Sequence, residues 1–424
     1  MTSPPSVDSK RRQAAMPFIM LAVLIDMVSI GLIVPVLPPL VGTFTSSPAE
    51  QTWWFGVISF TFGVANFFGS PILGALSDRY GRRPVLLIGF SGLALSFFVT
   101  GMATALWMLI AVRLVSGATM GNAAVANAYV ADITAPEDRA KRFGMLGAMF
   151  GMGFILGPVL GGLLGDINLQ LPFFVAGGLA VLNWLYGYFV LPESLPAERR
   201  HPINWKSANP VSSLRRLSQL KGAGPLVAVI GLSGLAQFML QTTWVLYTHF
   251  KFGWGPSQNG WSLFAVGVMS SLVQGVLLGR LLQRFSAQRL AVMGLLSSAI
   301  CFTLWGAATQ GWMMYAVIFC NLLGFTVVAS IQSLISNAAD AKTQGQTMGA
   351  VASLNSLMAV AAPVLGPALL AFVSHLPHGD WRIGAPYYFC AALQAVSMLL
   401  ALRHFSAMKR GAALLPPGSA EPSA

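Results

Sequence analysis

Three ionisable side chains stand inside long apolar runs of this chain: Asp26, Arg113 and Asp132. Charged groups are costly in hydrocarbon, so those that occur there usually serve ions or substrates. Asp26 lies about ten residues into its run, which is ~15 Å from the end of a helix that rises 1.5 Å per residue. A carboxyl group so far from water favours its protonated form and could exchange a proton near neutral pH. Asp26 is therefore a candidate proton carrier, the alternative being a static partner for a helix end or a backbone group.

Arg113 and Asp132 lie on the same apolar run but at different depths. A buried guanidinium stays charged, so Arg113 could hold a substrate anion, pair with Asp26 and set its proton affinity, or be a structural anchor. Asp132 stands at the end of the run, where it can reach water or the polar stretch Gly74–Pro84. That position favours a structural role for Asp132.

The stretch Gly74–Pro84 joins two apolar runs and is too short to be anything but a loop at a membrane surface. It carries the residues that we predict form a gate, together with Asp132: Gly74, Asp78, Arg79, Gly81, Arg82 and Arg83. Asp78 could accept a hydrogen bond from a helix N-terminus or an arginine across the molecule and so lock one conformation. A second copy of this pattern, Gly279–Arg289, has Gln283 in place of Asp78, which predicts an asymmetric gate.

These residues must be positioned by membrane helices. The chain is 55% hydrophobic and 9% charged, whereas roughly a quarter of a soluble domain is charged. Twelve apolar runs reach the ~20 residues that a helix needs to cross the hydrocarbon core, and lipid leaves no alternative to helices for runs of this kind. We number them span 1 to span 12: 16–41, 53–76, 84–103, 106–132, 143–165, 171–191, 224–249, 259–280, 289–309, 312–337, 345–372 and 385–405.

An internal repeat divides the spans into two sets of six. At an offset of 205 residues, Gly74-x-Leu76-x-x-Arg79 matches Gly279-x-Leu281-x-x-Arg284, and Pro158-Val159-Leu160-Gly161 matches Pro363-Val364-Leu365-Gly366. The fold class is therefore an all-α membrane protein with twelve transmembrane helices in two pseudo-symmetric six-helix bundles, an architecture typical of transporters that alternate between two open states. The predicted parts are a tail at 1–15, bundles at 16–191 and 223–405, a linker at 192–222 and a tail at 406–424.

The net charge of +12 is explained by the membrane topology, because the basic residues are distributed over alternate loops and do not form a single surface that could bind nucleic acid. All but three of the 25 Lys and Arg residues fall in the tails, the linker and alternate loops, the exceptions being Arg113, Lys251 and Arg382. The positive-inside rule then places both termini in the cytoplasm. In the linker, a basic run at Leu214–Leu217 suggests a short amphipathic surface helix. No arrangement of the three cysteines suggests a metal site or a disulfide, and we expect no cofactor.

Uncharged polar side chains in the spans are candidates for a substrate cavity. Gln237 and Gln241 are four residues apart on span 7 and share one face, and Trp244 could line a cavity for an aromatic ligand. The further candidates are Asn122, Ser270, Gln274 and Ser298. Gly157 and Pro158 in span 5 either form a hinge or serve the close helix packing that small residues permit.

Several of these motifs resemble those of a known family. Gly74–Pro84 resembles the signature loop of the major facilitator superfamily, and Asp26 with the following Gly31-Leu32-Ile33-x-Pro35 resembles its twelve-spanning drug/proton antiporters. Tyr129–Thr134, Leu191–Ser194, Gln237 with Gln241, and Gln344–Gln346 are similar to the tetracycline efflux proteins. The resemblance covers nearly the whole chain. It implies a transport role for Asp26, an essential Arg113, and a cytoplasmic gate operated by Asp78, Arg79, Arg82 and Arg83.

The chain departs from that pattern at three positions. The resemblance implies acids in spans 3 and 9 and a histidine in span 8, but this chain has Ser96, Ser298 and Ser270 there. We therefore expect coupling through Asp26 and Arg113 to a less charged or more apolar solute than a tetracycline–metal chelate.

The favoured function is a proton-coupled efflux antiporter for small amphipathic compounds in a bacterial inner membrane. We expect its partners to be protons, a small-molecule solute and lipid, with a monomer as the working unit. The alternatives are a proton-coupled importer or uniporter of an organic solute and, more remotely, a membrane receptor or an intramembrane enzyme.

Overall fold

The computed structural model describes residues 7–200, 224–338 and 344–413. It contains eleven helices long and apolar enough to cross a membrane, plus one bent pair that completes the expected twelve spans. Within the described residues, the helices of spans 1 to 12 in order are Val7–Ile33 with Leu37–Gly42, Pro48–Tyr80, Arg82–Gly101, Leu106–Thr119 with Asn122–Ile133, Arg139–Ile167, Leu171–Phe189, Gly224–Phe252, Pro256–Leu272 with Leu278–Arg284, Ala287–Ala307, Gly311–Cys320 with Val327–Ala338, Gln344–Val373 and Ala385–Ala413.

The helices extend beyond the apolar runs. Span 1 begins at Val7 rather than 16, and span 12 ends at Ala413, past the expected end at 405. Hydropathy marks only the part of a helix that lies in hydrocarbon, whereas backbone hydrogen bonding continues through polar residues at the interface. The amphipathic helix expected at Leu214–Leu217 lies outside the described residues.

Spans 4 and 10 are broken at equivalent positions. The offset of 205 residues maps the start of span 4, Leu106, onto Gly311, and the start of its second half, Asn122, onto Val327. Span 10 bends by 54° at its break. Discontinuous helices at corresponding positions of two repeats are characteristic of the depth at which transporters bind their solutes. The breaks therefore direct attention to the residues beside Asn122 and Asn321.

A face of glycines holds spans 1 and 5 together. A Cβ added at Gly157 would lie 2.6 Å from the Cα of Gly31, and one added at Gly161 would overlap the carbonyl oxygen of Leu32. Backbones approach so closely only where side chains are absent. Span 5 also runs as one helix through Gly157 and Pro158. The structure thus shows the packing role of Gly157, and a hinge there stays a prediction.

Among the described residues, the close approaches between the two bundles run from one end to about the middle of the helices. We call the end that carries Val7 and Ala413 the terminal face, and the opposite end the far face. Towards the far face, a Cβ at Gly56 of span 2 would lie 2.9 Å from the Pro363 carbonyl oxygen, and one at Gly162 of span 5 would lie 2.6 Å from the Pro256 carbonyl oxygen.

Towards the terminal face, the same four helices are apart. Added Cβ atoms would meet nothing within 4 Å at the glycines of spans 2, 5, 8 and 11 that lie there: Gly74, Gly144, Gly147, Gly275, Gly279 and Gly349. A cleft between the bundles is therefore open on the terminal face and closed on the far face.

Candidate functional site

Asp26 lies at the break of span 4. It is 4% exposed, and one carboxylate oxygen accepts a hydrogen bond from the Asn122 side-chain amide at 3.4 Å. Asn122 is the first residue of the second half of span 4, so the carboxyl group stands beside a helix N-terminus, where partial positive charge favours an anion. The sequence analysis predicted that Asn122 lines the substrate cavity, whereas in the structure its side chain is hydrogen-bonded to Asp26.

A small pocket adjoins the Asp26 carboxyl group and has room for about one water molecule. Its other walls come from spans 1, 3, 4 and 5 and are largely apolar: Ile19, Val23, Met27, Leu86, Phe90, Ala123, Ala126 and Phe150. None of the ion pairs between described residues includes Asp26. A proton on this carboxyl group therefore changes the charge of a site with no neighbouring cation to compensate.

Arg113 lies apart from Asp26, on the first half of span 4. It is 8% exposed, its guanidinium lies 5.9 Å from the centre of the Phe62 ring of span 2, and its Nε has no hydrogen-bond partner among the described residues. The expected alternative of an Arg113–Asp26 pair is not formed in this conformation. Asn122 follows Arg113 by nine positions, which separates the two sites by roughly 13 Å along the helix axis.

The predicted gate residues form a network on the terminal face. Arg82 donates to Asp132 at 3.0 Å, to Ser77 at 2.7 Å and to Asp78 at 2.5 Å. Asp132 therefore lies against the stretch Gly74–Pro84, as its position at the end of span 4 indicated. Asp78 pairs with Arg82, at the start of span 3, and has no bond to the C-terminal bundle among the described residues, which agrees with a cleft open on this face.

The expectation that Gly74–Pro84 is a loop is wrong: Gly74–Tyr80 belong to the helix of span 2 and Arg82 begins the helix of span 3, so Gly81 alone forms the turn. Helical hydrogen bonding continues through the polar residues at the ends of both spans. Gly81 has φ of 103°, a conformation that side-chain-bearing residues rarely adopt. Arg83 donates to the carbonyl oxygens of Gly187 and Tyr188 of span 6, and Arg79 is exposed beside the ring of Tyr80. Gly74 accepts a hydrogen bond from the Ser77 hydroxyl at its carbonyl oxygen, and a Cβ added at Gly74 would meet nothing within 4 Å.

Glu193 is a member of this network that the sequence reasoning did not assign. Its carboxylate accepts from the backbone N–H groups of Arg82 and Arg83 at 2.8 and 3.2 Å and so caps the N-terminus of span 3. Gly81 precedes that helix and offers no side chain for capping. The sequence did contain a signal for this role of Glu193. The acid directly follows span 6 and therefore lies on the same face as the start of span 3, which lacks a capping side chain of its own.

Replacing Arg82 by Ala should destabilise the N-terminal bundle, because Asp132 and Ser77 lose a buried charged donor. We expect a loss of about 2 kcal/mol and an unfolding midpoint lower by several degrees, measured by thermal unfolding in detergent. Arg79→Ala is the matched control, since the contact that the described part of the chain gives the Arg79 guanidinium is with the exposed ring of Tyr80. Equal midpoints for the two variants would contradict a structural role for the network.

The candidate cavity residues of the C-terminal bundle separate into two environments. Gln237 and Gln241 are exposed on span 7. On span 8, Gln274 donates to Ser270 at 2.7 Å. Gln274 lies in a π-helical segment at Val273–Leu277, and such distortions are often found at functional sites. Ser298 of span 9 is 5% exposed. Its neighbour Ser297 donates to Asn321 at the break of span 10.

Trp244 lies in the core of the C-terminal bundle rather than on the cleft. It is 3% exposed, donates to the Ser262 hydroxyl at 2.9 Å and packs edge-on against Trp305. A buried indole N–H needs a partner of this kind. The expectation that Trp244 lines a cavity is thus wrong for this conformation, because periodicity cannot distinguish a core face from a cavity face.

Comparisons with known proteins agree with this architecture. The family model described as Major Facilitator Superfamily matches residues 19–363 and 226–423. The chain is 36% identical to the tetracycline resistance protein, class C, of Escherichia coli over 367 residues, which are 86% of this chain and 92% of that protein. It is 34% identical to the class D protein of Salmonella ordonez over 378 residues, 89% of this chain and 94% of that one.

A solved structure has the same fold. The crystal structure of nucleoside transporter NupG superposes with a TM-score of 0.74 at 14% identity, covering 92% of this chain and 99% of that one.

Proposed function

Because the chain belongs to the major facilitator superfamily and groups with the tetracycline resistance proteins, we propose that it is a proton-coupled antiporter that exports small amphipathic compounds. The observation that carries the proposal is Asp26, a buried carboxyl group with one amide partner, at the break of a span. The chain is a multi-pass membrane protein and a secondary transporter, not an enzyme. Its membrane, in this proposal, is the bacterial inner membrane.

The terminal face is cytoplasmic in this proposal. The loops and tails on that face carry nearly all of the Lys and Arg residues, as the positive-inside rule requires of a cytoplasmic side. The cleft that is open on the terminal face would then admit a solute from the cytoplasm. Export requires the same cleft to open on the far face in a second conformation.

Asp26 could couple that change to a proton. When ionised, its carboxylate attracts the N-terminus of the second half of span 4 through Asn122, and when protonated it loses the charge that the helix end favours. The proton thus changes how firmly span 4 is held to span 1. Such a change in charge can bias the equilibrium between two conformations whose free energies differ by only a few kcal/mol.

The solute would lie in the cleft, within reach of the polar groups of both bundles. Gln237, Gln241, Ser270 and Gln274 offer neutral hydrogen-bond donors and acceptors, and Arg113 offers a buried cation whose Nε has no hydrogen-bond partner among the described residues. Ser96, Ser270 and Ser298 stand where the resemblance implies titratable groups, which favours a solute that carries little charge. The proton gradient drives transport without a cofactor, and one chain is the working unit.

Everted membrane vesicles test the proposal, because their lumen becomes acidic and their cytoplasmic face points outward. An antiporter should accumulate tetracycline or another amphipathic drug in the lumen when the vesicles are energised and release it when the gradient is collapsed. We expect accumulation without a requirement for Mg²⁺. Accumulation only when the outside is more acidic would instead indicate a proton-coupled importer.

A further inference from the structure

Asp166 forms a bond between the two bundles at the far face. It stands in the last turn of span 5, and its Oδ1 accepts a hydrogen bond from the backbone N–H of Ser257, the second residue of span 8, at 3.2 Å. Within the described part of the far face, no other side-chain hydrogen bond links the N-terminal bundle to the C-terminal bundle. No part of the mechanism above uses this acid.

The start of span 8 lacks a cap of its own. The N-cap residue is Gly255, which has no side chain, and Gln258 accepts from the Gly255 N–H at 2.9 Å. Pro256 has no N–H to satisfy, so Ser257 is the next donor in the turn. Backbone donors at a helix start need acceptors, and a carboxylate there also meets the positive end of the helix dipole. The acceptor for the Ser257 N–H is Asp166, which belongs to the N-terminal bundle.

The two helices are closely packed around this bond. A Cβ at Gly165, one residue before Asp166, would lie 3.0 Å from the Pro256 side chain, and one at Gly260 would overlap the Pro158 carbonyl oxygen. The same two helices have free glycines towards the terminal face: Gly144, Gly147, Gly275 and Gly279. When the cleft opens on the far face, the ends of spans 5 and 8 must part.

We infer that Asp166 is a latch of the transport cycle, a positioning residue that stabilises the conformation closed on the far face by capping span 8 across the bundle interface. The bond forms when the far face closes and breaks when it opens. The inference concerns the balance between conformations and holds for any solute.

Spin labels can measure that balance. Thr104 and Thr309 are exposed, lie in loops of the far face and are related by the offset of 205 residues, so the distance between them reports separation of the bundles. Cys301→Ser, Cys320→Ser and Cys390→Ser remove the native thiols, and the distance between labels at Thr104→Cys and Thr309→Cys would then be measured by double electron–electron resonance. No solute or proton gradient is needed, so the outcome is independent of the proposed function.

Two single variants remove the two sides of the bond. Asp166→Ala removes the acceptor, and Ser257→Pro removes the donor while keeping a residue that the first turn of a helix tolerates. Each should raise the ratio of far-face-open to far-face-closed molecules about threefold to tenfold, the range expected for one hydrogen bond. The double variant should shift the ratio no further than either single variant, because both remove the same bond.

Asp380→Asn is the matched control. Asp380 is also a far-face acid, but its carboxylate is held by Arg382 of its own bundle at 2.8 Å, and this pair lowers the pKa of Asp380. The control should leave the distances unchanged. If Asp380→Asn shifts the label distances as much as Asp166→Ala does, the shift comes from the loss of negative charge on the far face in general, and the proposal that Asp166 is a latch is wrong. Unchanged distances in both Asp166→Ala and Ser257→Pro, or additive shifts in the double variant, would also overturn it.

Discussion

Asp26→Asn is expected to abolish proton-driven accumulation while the solute still crosses the membrane down its own gradient. The amide matches the shape of the carboxyl group and can bond to Asn122, but it can neither take up nor release a proton. The buried pocket around position 26 contains no second titratable group to replace it. Accumulation in energised vesicles should therefore fall to the level of vesicles without a gradient.

Asp26→Glu separates proton chemistry from packing. It keeps a titratable carboxyl group and adds one methylene to the pocket, so we expect coupling to persist at a reduced rate. Solute-driven acidification or alkalinisation of the medium, measured with a pH-sensitive dye, should be present in Asp26→Glu and lost in Asp26→Asn. Gradient-driven accumulation that survives in Asp26→Asn would show that Asp26 is not the proton site.

Gly161→Ala is expected to destabilise the protein far more than the same change at Gly147. Both glycines lie on span 5, but an added methyl at Gly161 would overlap the Leu32 carbonyl oxygen, whereas one at Gly147 meets nothing within 4 Å. A backbone oxygen cannot rotate out of the way as a side chain can, so spans 1 and 5 must separate. We expect a cost of about 3 kcal/mol from this overpacking.

The measurement is the unfolding midpoint in detergent, followed by gel filtration. Gly147→Ala should keep the midpoint of the unmodified protein or raise it slightly, because Ala has the higher helix propensity. Gly161→Ala should lower it by several degrees and reduce the folded yield. Equal midpoints would mean that the close approach of spans 1 and 5 does not exist in the folded protein.

Much of the fold could be predicted because lipid removes the alternatives. Uninterrupted apolar runs must form helices in a bilayer, so the twelve spans followed from composition, and the offset of 205 residues predicted two related six-helix bundles. The structure confirms both. The helix ends at Val7 and Ala413 differ from the predicted bounds of the spans, because hydropathy does not detect the part of a helix that continues into water.

The partners of the candidate residues could not be predicted in the same way. The depth of Asp26 followed from counting along a helix, but its contact with Asn122 depends on where span 4 breaks. Trp244 and the glutamines of span 7 share one apolar pattern, yet Trp244 is in the core and Gln237 is exposed. A one-dimensional pattern does not tell which neighbour covers each face of a helix that is apolar all round.

The sequence by itself determined that this is a twelve-span protein of two related bundles, with a carboxyl group inside span 1 and a basic segment between spans 2 and 3. Those features are local, because each depends on residue type and spacing within one run. Only the tertiary structure decided which side of the cleft is closed, that Arg113 stands apart from Asp26, and that Glu193 and Asp166 cap helices far from them in the chain. These are contacts between distant segments, and they arise only when the helices have packed.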